Sequence, residues 1–397
     1  MLKKLFLLLI SIFGVTSTSI ITGTKLPDNN VIQLVDKPTN SNKVKSSVLI
    51  EAKTGKVLVN NRKDLKLPMA SMTKVMSLIL FFEAIDEGRI KYDQLLTCSE
   101  YASSMGGSQI FLSVNEQMSV DDLLKSVCIA SANDSTVVLA EAISGSEEVF
   151  VQLMNKKAKE LKLYNTKFAN ATGLPTGKDH YTTAYDMALM SSHLINNYPK
   201  ALEYSSRYED YIRVNTPKQF WLVNTNKLIK SVEGIDGLKT GWTEEAGYCL
   251  TCTKVQDGMR LISVVMGAET VKERTNLTLQ LLNYGFSNYQ YQVILPKDTV
   301  VEVNKNILLS PDKQNIVLSN EFGVVLEKND ELKNYQTKIH LDKKRIDDYE
   351  TEDIGVIEFY KDGELIDTLS LKLSEKTSKA SFFKLWLEVL KSSFIYS

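Results

Sequence analysis

Residues 68–76, PMASMTKVM, place a serine and a lysine three positions apart where a helix is expected to begin. Pro68 stands just upstream and a mostly apolar run, 75–82, follows, so the pattern predicts a buried helix that begins near Ser71. Because residues i and i+3 share a helix face, Ser71 and Lys74 are expected to be neighbours. A lysine in the first turn faces the positive end of the helix dipole, and this placement is electrostatically unfavourable.

Two interpretations of this lysine remain open on the stretch alone. In the first, Ser71 is an ordinary N-cap and Lys74 extends to water. In the second, burial and the helix N-terminus lower the pKa of Lys74, so that a neutral amine acts as general base beside a serine nucleophile. This S-x-x-K pattern also occurs at 310–313 and at 381–384, so other elements must decide among the three.

Composition excludes several function classes. The chain has 397 residues, enough for two domains, and its 47 Lys and Arg balance 48 Asp and Glu. We therefore expect no nucleic-acid partner. No Walker loop or dinucleotide fingerprint is present, and we expect no cofactor.

The N-terminus, MLKKLFLLLISIFGV, is a basic start followed by a short apolar stretch. This layout predicts a signal peptide within residues 1–23, cleaved between 17 and 23, and therefore an exported protein. A retained anchor is the alternative. The polar residues 24–45 are predicted to be a linker.

The cysteines are Cys98, Cys128, Cys249 and Cys252. Disulfides are conceivable in an exported chain, but Cys249 and Cys252 lie on a predicted strand, where residues three apart face opposite sides. The three histidines are scattered. We expect four buried thiols and no metal site.

The pattern of turns and periods divides the rest of the chain. Residues 46–288 combine strands with a helical body, including helical patterns near 120–143 and 147–162. Residues 290–373 show short alternating runs typical of a small all-β domain. Residues 381–397 form an amphipathic pattern, which we interpret as a helix lying on a membrane surface. A helix docked on its own domain is the alternative.

Two further motifs follow S-x-x-K in the first of these regions. Ser131 and Asn133 form S-x-N at the start of an apolar helical run, and residues 239–241 form K-T-G on a predicted strand. Decoys exist at 113–115 and 53–55, but the latter lies in a hairpin turn upstream of Ser71. The choice that keeps all three motifs in order within one region therefore selects Ser71.

The ordered motifs make the chain resemble the low-molecular-mass penicillin-binding proteins that are D-alanyl-D-alanine carboxypeptidases. The stretches that carry the resemblance are SMTK, MGGSQIFL, IASANDS, NATGLPTGKDHYTTAYDMA, GIDGLKTGWTEEAGYCL and MRLISVVMGAET. The resemblance implies an α/β (α+β) fold of the β-lactamase and DD-peptidase type. In that fold an α cluster packs on a five-stranded sheet with helices, and a small all-β domain and an amphipathic helix follow.

The resemblance also implies acyl-enzyme chemistry on peptidoglycan stem peptides, with β-lactams as inhibitors, at the outer face of the cytoplasmic membrane or in the cell wall. Ser71 would attack the D-Ala-D-Ala bond, and Lys74 would take its proton. Ser131 and Asn133 would transfer the proton and hold the substrate amide.

The remaining implied roles concern substrate binding. Lys239 and Thr240 would bind the terminal carboxylate side, Gly241 leaves room for the substrate backbone, and Arg274 falls where the family has a carboxylate-binding arginine. The backbone N–H groups of Ser71 and Trp242 would form the oxyanion hole.

Two positions depart from the family pattern. Trp242 stands where histidine is common, and Thr225 stands where some members carry another arginine. His180 and Asp186 are expected to be scaffold residues. The alternatives are a β-lactamase or esterase on the same fold, and a catalytically silent wall-binding protein.

Overall fold

The computed structural model describes residues 18–21, 35–39, 42–306, 309–330, 335–347 and 352–386. The chain divides into two compact units, one of residues 32–290 and one that joins residues 291–397 to residues 1–31. Most of the predicted signal peptide and much of the predicted linker lie outside the described residues. The described part of that leader is strand β1 (Thr18–Ile21).

The larger unit is built on a five-stranded antiparallel sheet in the order β3-β2-β10-β9-β8. Two two-stranded ribbons, β4–β5 and β6–β7, complete its strands. The strands are β2 (Val44–Glu51), β3 (Val57–Asn61), β4 (Leu95–Thr97), β5 (Gln117–Ser119), β6 (Glu209–Ile212), β7 (Phe220–Val223), β8 (Ile235–Thr243), β9 (Gly247–Gln256) and β10 (Met259–Ala268). The hairpin turn predicted at 53–55 joins β2 to β3, and a turn at 257–258 joins β9 to β10.

The helices of this unit are α1 (Lys74–Asp86), α2 (Glu100–Ser103), α3 (Val120–Lys125), α4 (Asn133–Ser144), α5 (Glu147–Glu160), α6 (Ala184–Asn197), α7 (Lys200–Ser205), α8 (Leu228–Ser231) and α9 (Val271–Asn288). Helix α1 is buried on every side, and Val75, Ile79 and Phe81 are among its buried residues. A helix that is apolar all round belongs in a core. The α cluster around α1 thus fixes the position of the residues at its N-terminal end.

The helix expected over 120–143 is interrupted. After α3 the chain forms a π-helical turn, Ser126–Ala130, and Ser131 then adopts the left-handed conformation with φ 63° and ψ 31°. The backbone N–H of Ala132 bonds back to the Ser126 carbonyl (3.1 Å), and α4 begins only at Asn133. The apolar period continued through this break, so periodicity alone predicted one helix. The interruption is what turns Ser131 out of the helical path.

The smaller unit contains a six-stranded sheet in the order β1-β16-β17-β18-β14-β12. Its elements after β10 are β11 (Tyr289–Leu295), β12 (Val300–Lys305), β13 (Leu309–Ser310), β14 (Lys313–Leu318), β15 (Phe322–Glu327), β16 (Tyr335–Leu341), α10 (Lys343–Asp347), β17 (Gly355–Lys361), β18 (Glu364–Leu373) and β19 (Ser378–Lys379). The rings of Phe322 and Phe359 stack at its centre, 3.6 Å apart. The described part of this unit is therefore mostly β, with two short helical segments, α10 and residues 382–386.

Other expectations are resolved at the level of single elements. All four cysteines are free and buried, as predicted. Of the predicted tail helix, residues 382–386 are helical and 387–397 lie outside the described residues. Within the part of the chain that is described, no helix is both long and apolar enough to cross a membrane.

Candidate active site

Ser71 lies in a short 3-10 helix, Ala70–Thr73, that leads directly into α1. The first interpretation of the sequence is therefore wrong, because Ser71 is not an N-cap and the α-helix begins at Lys74. Ala70 has a φ of +47°, a left-handed conformation that is costly for a residue with a side chain. Such strain persists only where the surrounding structure holds it in place.

Lys74 is completely buried and does not extend to water. Its Nζ lies 2.6 Å from Asn133 Oδ1, 2.7 Å from the Thr172 carbonyl oxygen and 3.2 Å from Ser71 Oγ. A neutral amine has two N–H donors and one lone pair. The two short contacts use both donors, so the lone pair is left to accept the Ser71 hydroxyl proton.

The surroundings favour that neutral form. Burial lowers the pKa of Lys74 well below its usual value, and the charge of Lys239 lowers it further, while Asp134 and Glu147 oppose the shift. Desolvation penalises an ammonium that has no contacting carboxylate. The site can therefore present an amine base beside a serine hydroxyl.

Asn133, the first residue of α4, contacts Lys74, and Ser131 lies two residues before it in the break. The Asn133 side chain donates from Nδ2 to the Gly106 carbonyl (2.7 Å) while its Oδ1 accepts from Lys74, so the orientation of its amide is fixed. Ser131 is also buried, and its Oγ has no hydrogen-bond partner among the described residues. A buried hydroxyl without a protein partner is uncommon, and such a group can bond to a water molecule or a bound ligand.

Strand β8 brings the K-T-G residues next to the Ser71 turn. A Cβ at Gly241 would lie 2.8 Å from the Met69 carbonyl oxygen, so only glycine allows this close approach. Lys239 is buried, and its Nζ donates to the Thr240 carbonyl (3.0 Å). Burial lowers the pKa of Lys239 to about 7, although Cys128 opposes the shift.

The other residues expected to bind substrate are more dispersed. Thr240 is largely buried and donates through Oγ1 to Thr225 Oγ1 (2.8 Å). Trp242 is 58% exposed, and its ring packs at a tilt on Tyr248. Arg274, on α9, is buried, burial lowers its pKa, and its Nε has no partner in the described part of the chain.

The sequence reasoning counted the segment 170–173 among the stretches that resemble the family but assigned it no role in the site. Its Thr172 carbonyl contacts Lys74, and Asn170 Oδ1 accepts from the backbone N–H groups of Thr172 (3.2 Å) and Gly173 (2.7 Å). A Cβ at Gly173 would lie 1.9 Å from the Ala70 carbonyl oxygen. The sequence N-A-T-G is a turn signal, but nothing in it indicates which side chain the carbonyl meets.

Asp134 was also missed. Its carboxylate is fully buried and accepts hydrogen bonds from the backbone N–H groups of Ile110 and Leu112, each with an N···O distance of 3.1 Å. These contacts anchor the loop that carries Gly106, which in turn orients Asn133. An acidic residue directly after S-x-N, in the first turn of α4, is the signal that could have found it.

The decoy motifs lie elsewhere. Lys53 is exposed in the hairpin turn between β2 and β3, and Ser113 is exposed in a loop before β5. Ser310 and Ser381 belong to the smaller unit. No group of histidine, cysteine or acidic residues suited to a metal ion is found among the described residues.

A cleft of about 410 Å³ opens beside the Ser71 turn. Residues 66–68, Ala70 and residues 173–181 line it, with Thr243 and Glu245 on another side. The nucleophile candidate therefore lies next to a space large enough for a peptide or a small ligand.

Comparison with known proteins adds to this geometry. The family profile of D-alanyl-D-alanine carboxypeptidases matches residues 33–270. The chain is 43% identical to D-alanyl-D-alanine carboxypeptidase DacF of Bacillus subtilis (strain 168), over 86% of this chain and 88% of that protein.

Solved structures agree with the sequence relatives. Penicillin binding protein 5 from Haemophilus influenzae superposes with a TM-score of 0.68 at 28% identity, covering 87% of this chain and all of that one. Penicillin-Binding Protein D2 from Listeria monocytogenes, in its ampicillin-bound form, has a TM-score of 0.56 at 33% identity, covering 62% of this chain and 98% of that one. These neighbours confirm the predicted α/β penicillin-binding fold followed by a β domain, whereas the predicted C-terminal amphipathic helix stays a prediction.

Proposed function

Because this chain belongs to the D-alanyl-D-alanine carboxypeptidase family, we propose that it removes the terminal D-alanine from peptidoglycan stem pentapeptides through an acyl-enzyme on Ser71. It is a serine-type carboxypeptidase, a hydrolase of cell-wall metabolism. Penicillins would acylate the same serine. The single observation that carries the proposal is the buried Lys74 amine, 3.2 Å from Ser71 Oγ, with both of its N–H donors already used.

Acylation begins with the Ser71 hydroxyl. Its proton passes to the Lys74 lone pair as Oγ bonds to the carbonyl carbon of the penultimate D-alanine. The negative charge that develops on the carbonyl oxygen is stabilised by the backbone N–H groups of Ser71 and Trp242.

Collapse of this intermediate breaks the peptide bond and needs a proton on the departing nitrogen. Lys74 now carries a proton, and Ser131 is the buried hydroxyl able to relay it to D-alanine. Asn133 holds both the lysine and the substrate amide. Water then hydrolyses the Ser71 ester, so that the shortened peptide leaves and the hydroxyl is restored.

Two buried cations, Lys239 and Arg274, are the candidates to bind the substrate carboxylate, although neither lines the cleft described above. Lys239, with Thr240 beside it, attracts the carboxylate, and the unpartnered Nε of Arg274 supplies a second donor group. Gly241 leaves space for the substrate backbone, and the exposed Trp242 directly precedes Thr243, which lines the cleft.

The test of the activity is release of D-alanine from a pentapeptide ending in D-Ala-D-Ala, measured beside labelling with a fluorescent penicillin. Both activities are expected from the wild-type protein. Labelling followed by rapid loss of the label, without D-alanine release, would support the β-lactamase alternative. Neither activity would support the silent wall-binding alternative.

Replacing Lys239 with alanine is expected to slow acylation by at least ~10²-fold, because the substrate carboxylate loses its buried cation. Lys53→Ala is the matched control, since it removes a lysine from the exposed K-T-G decoy and should change acylation little. Acylation rate constants for a penicillin measure both. Equal losses in the two variants would contradict the assignment.

The same lysine predicts a pH dependence. With a pKa of about 7, free Lys239 loses its proton as the pH rises above neutrality, so acylation efficiency should fall on the alkaline side. Lys239→Arg keeps its charge and should lose this alkaline limb, whatever its absolute rate. If the alkaline fall in acylation efficiency were unchanged in Lys239→Arg, a group other than Lys239 would be responsible for it.

We propose also that the protein is exported and that residues 381–397 hold it on a membrane surface. The start of this tail supports the proposal. Phe382, Phe383 and Trp386 are exposed by 84%, 66% and 50%, while Lys384 donates to the Leu309 carbonyl (3.2 Å). An apolar face turned away from its own unit favours a membrane surface over a docked helix.

Deleting residues 381–397 is expected to release the protein from membranes into the soluble exported fraction, because burial of these rings contributes roughly 25 cal/mol per Å². Activity on small soluble peptides should persist. The control keeps the tail length and replaces Phe382, Phe383 and Trp386 with serine, which should also release the protein. Fractionation after membrane isolation measures the result, and a truncated protein that stays bound would indicate a retained N-terminal anchor.

A further inference from the structure

His180 is one of the residues that line the cleft beside the Ser71 turn, and it contacts two segments of the site. Its Nδ1 is 2.9 Å from the backbone nitrogen of Ala169, and its Nε2 is 2.6 Å from Thr73 Oγ1. The Thr73 hydroxyl donates to the Ala70 carbonyl oxygen over 2.8 Å. One imidazole therefore joins the Ala169 segment to the Ser71 turn.

The direction of these bonds follows from the donors available. The Ala169 N–H donates, so Nδ1 carries no proton and the ring proton is on Nε2. The Thr73 hydroxyl uses its only proton on Ala70, so it accepts from Nε2. Burial lowers the pKa of His180 to about 4, and the ring is therefore neutral near pH 7, as this chain of bonds requires.

The Thr73 end of the chain supports a strained backbone. Ala70, with its φ of +47°, immediately precedes Ser71, and its carbonyl oxygen is held by the Thr73 hydroxyl. On its other side the same carbonyl meets Gly173, where a Cβ would lie only 1.9 Å away. Small movements of this turn change where Ser71 Oγ points.

At the other end of this chain of bonds, Ala169 belongs to the segment that contacts the proposed base, Lys74. Three residues after Ala169, the Thr172 carbonyl accepts from Lys74 Nζ (2.7 Å). The same imidazole thus contacts the turn of the nucleophile and the segment that orients the base. Acylation depends on the separation between the nucleophile, Ser71, and the base, Lys74.

We propose that His180 is a positioning residue for acylation, which acts through Thr73 and Ala169 to hold Ser71 Oγ within reach of Lys74. The inference rests on the proposed acylation of Ser71. His180 touches neither the nucleophile nor the base, and its effect is on their geometry.

The decisive pair of variants is at Thr73. Thr73→Val keeps the shape but removes the hydroxyl, and it should lower the acylation rate constant by between about 10- and 100-fold. The dissociation constant of the initial penicillin complex should change by less than about twofold, because no substrate contact is lost. Thr73→Ser keeps the hydroxyl and should restore most of the rate. Stopped-flow acylation separates the two constants.

The second pair is at His180 itself. His180→Gln places an amide donor near Nε2 and should retain more activity than His180→Asn, whose amide reaches only the Ala169 side. His193→Asn is the control, because His193 lies on α6 and bonds to Asn197 (3.1 Å). Thermal unfolding of each variant shows whether it is folded, and if one His180 variant is not, the Thr73 pair still decides.

A double-variant cycle completes the test. Thr73→Val combined with His180→Asn should be no slower than the slower single variant, since both break one chain of bonds. Additive losses, or valine and serine variants at Thr73 with equal rates, would overturn the inference. A wild-type protein that penicillin does not label would overturn the proposed function as well, so the two failures are distinguishable.

Discussion

Replacing Ser71 with alanine is expected to abolish covalent penicillin labelling and D-alanine release, with a loss of at least ~10⁴-fold in acylation. The substitution removes the hydroxyl oxygen that lies 3.2 Å from Lys74 Nζ. The fold should survive, since the turn is held by Thr73 and by the buried side chain of Met72. Labelling intensity on gels, intact-protein mass and the unfolding temperature measure these three expectations.

The decoy serines supply the controls. Ser310→Ala and Ser381→Ala remove the other two S-x-x-K serines, both in the smaller unit, and should leave labelling intact. Peptide mapping of the labelled wild-type protein should place the adduct at Ser71. A label that persists in Ser71→Ala, or that disappears in either control, would mean that the wrong motif was chosen.

The proximity of Ser71 and Lys74 was predictable because their motif is local. Ser71 and Lys74 share a face in any helical geometry, so their proximity survived the error about how the helix begins. The 3-10 turn and the left-handed Ala70 were not predictable, since no glycine marks that position. The strain there is imposed by contacts with Gly173 and Thr73, which come from packing.

The break in the helix at Ser131 is a second feature that the sequence did not predict. The apolar period ran through 120–143, and a π-helical turn with one left-handed residue interrupted it. A sequence motif cannot indicate which backbone carbonyl takes part in a site, because every residue has one. The contact between the Thr172 carbonyl and Lys74 could therefore be found only in the structure, whereas Asn133 and Lys74 could be selected from their motifs.

Replacing Lys74 with arginine is expected to slow acylation by at least ~10³-fold, because a guanidinium stays protonated and cannot accept the serine proton. The wild-type amine escapes this problem, since burial and the charge of Lys239 lower its pKa well below the usual value. Arginine would also bury a charge that cannot be neutralised, so a lower unfolding temperature should accompany the loss.

The matched variant is Lys74→Met, which has similar length and no charge. It separates the loss of a base from the burial of a cation, and it should be as slow in acylation as Lys74→Arg whatever its stability. Its noncovalent affinity for penicillin should stay close to wild type, because Lys239 and Arg274 remain to bind the carboxylate. If Lys74→Met acylated within about tenfold of the wild-type rate, the base would be another group.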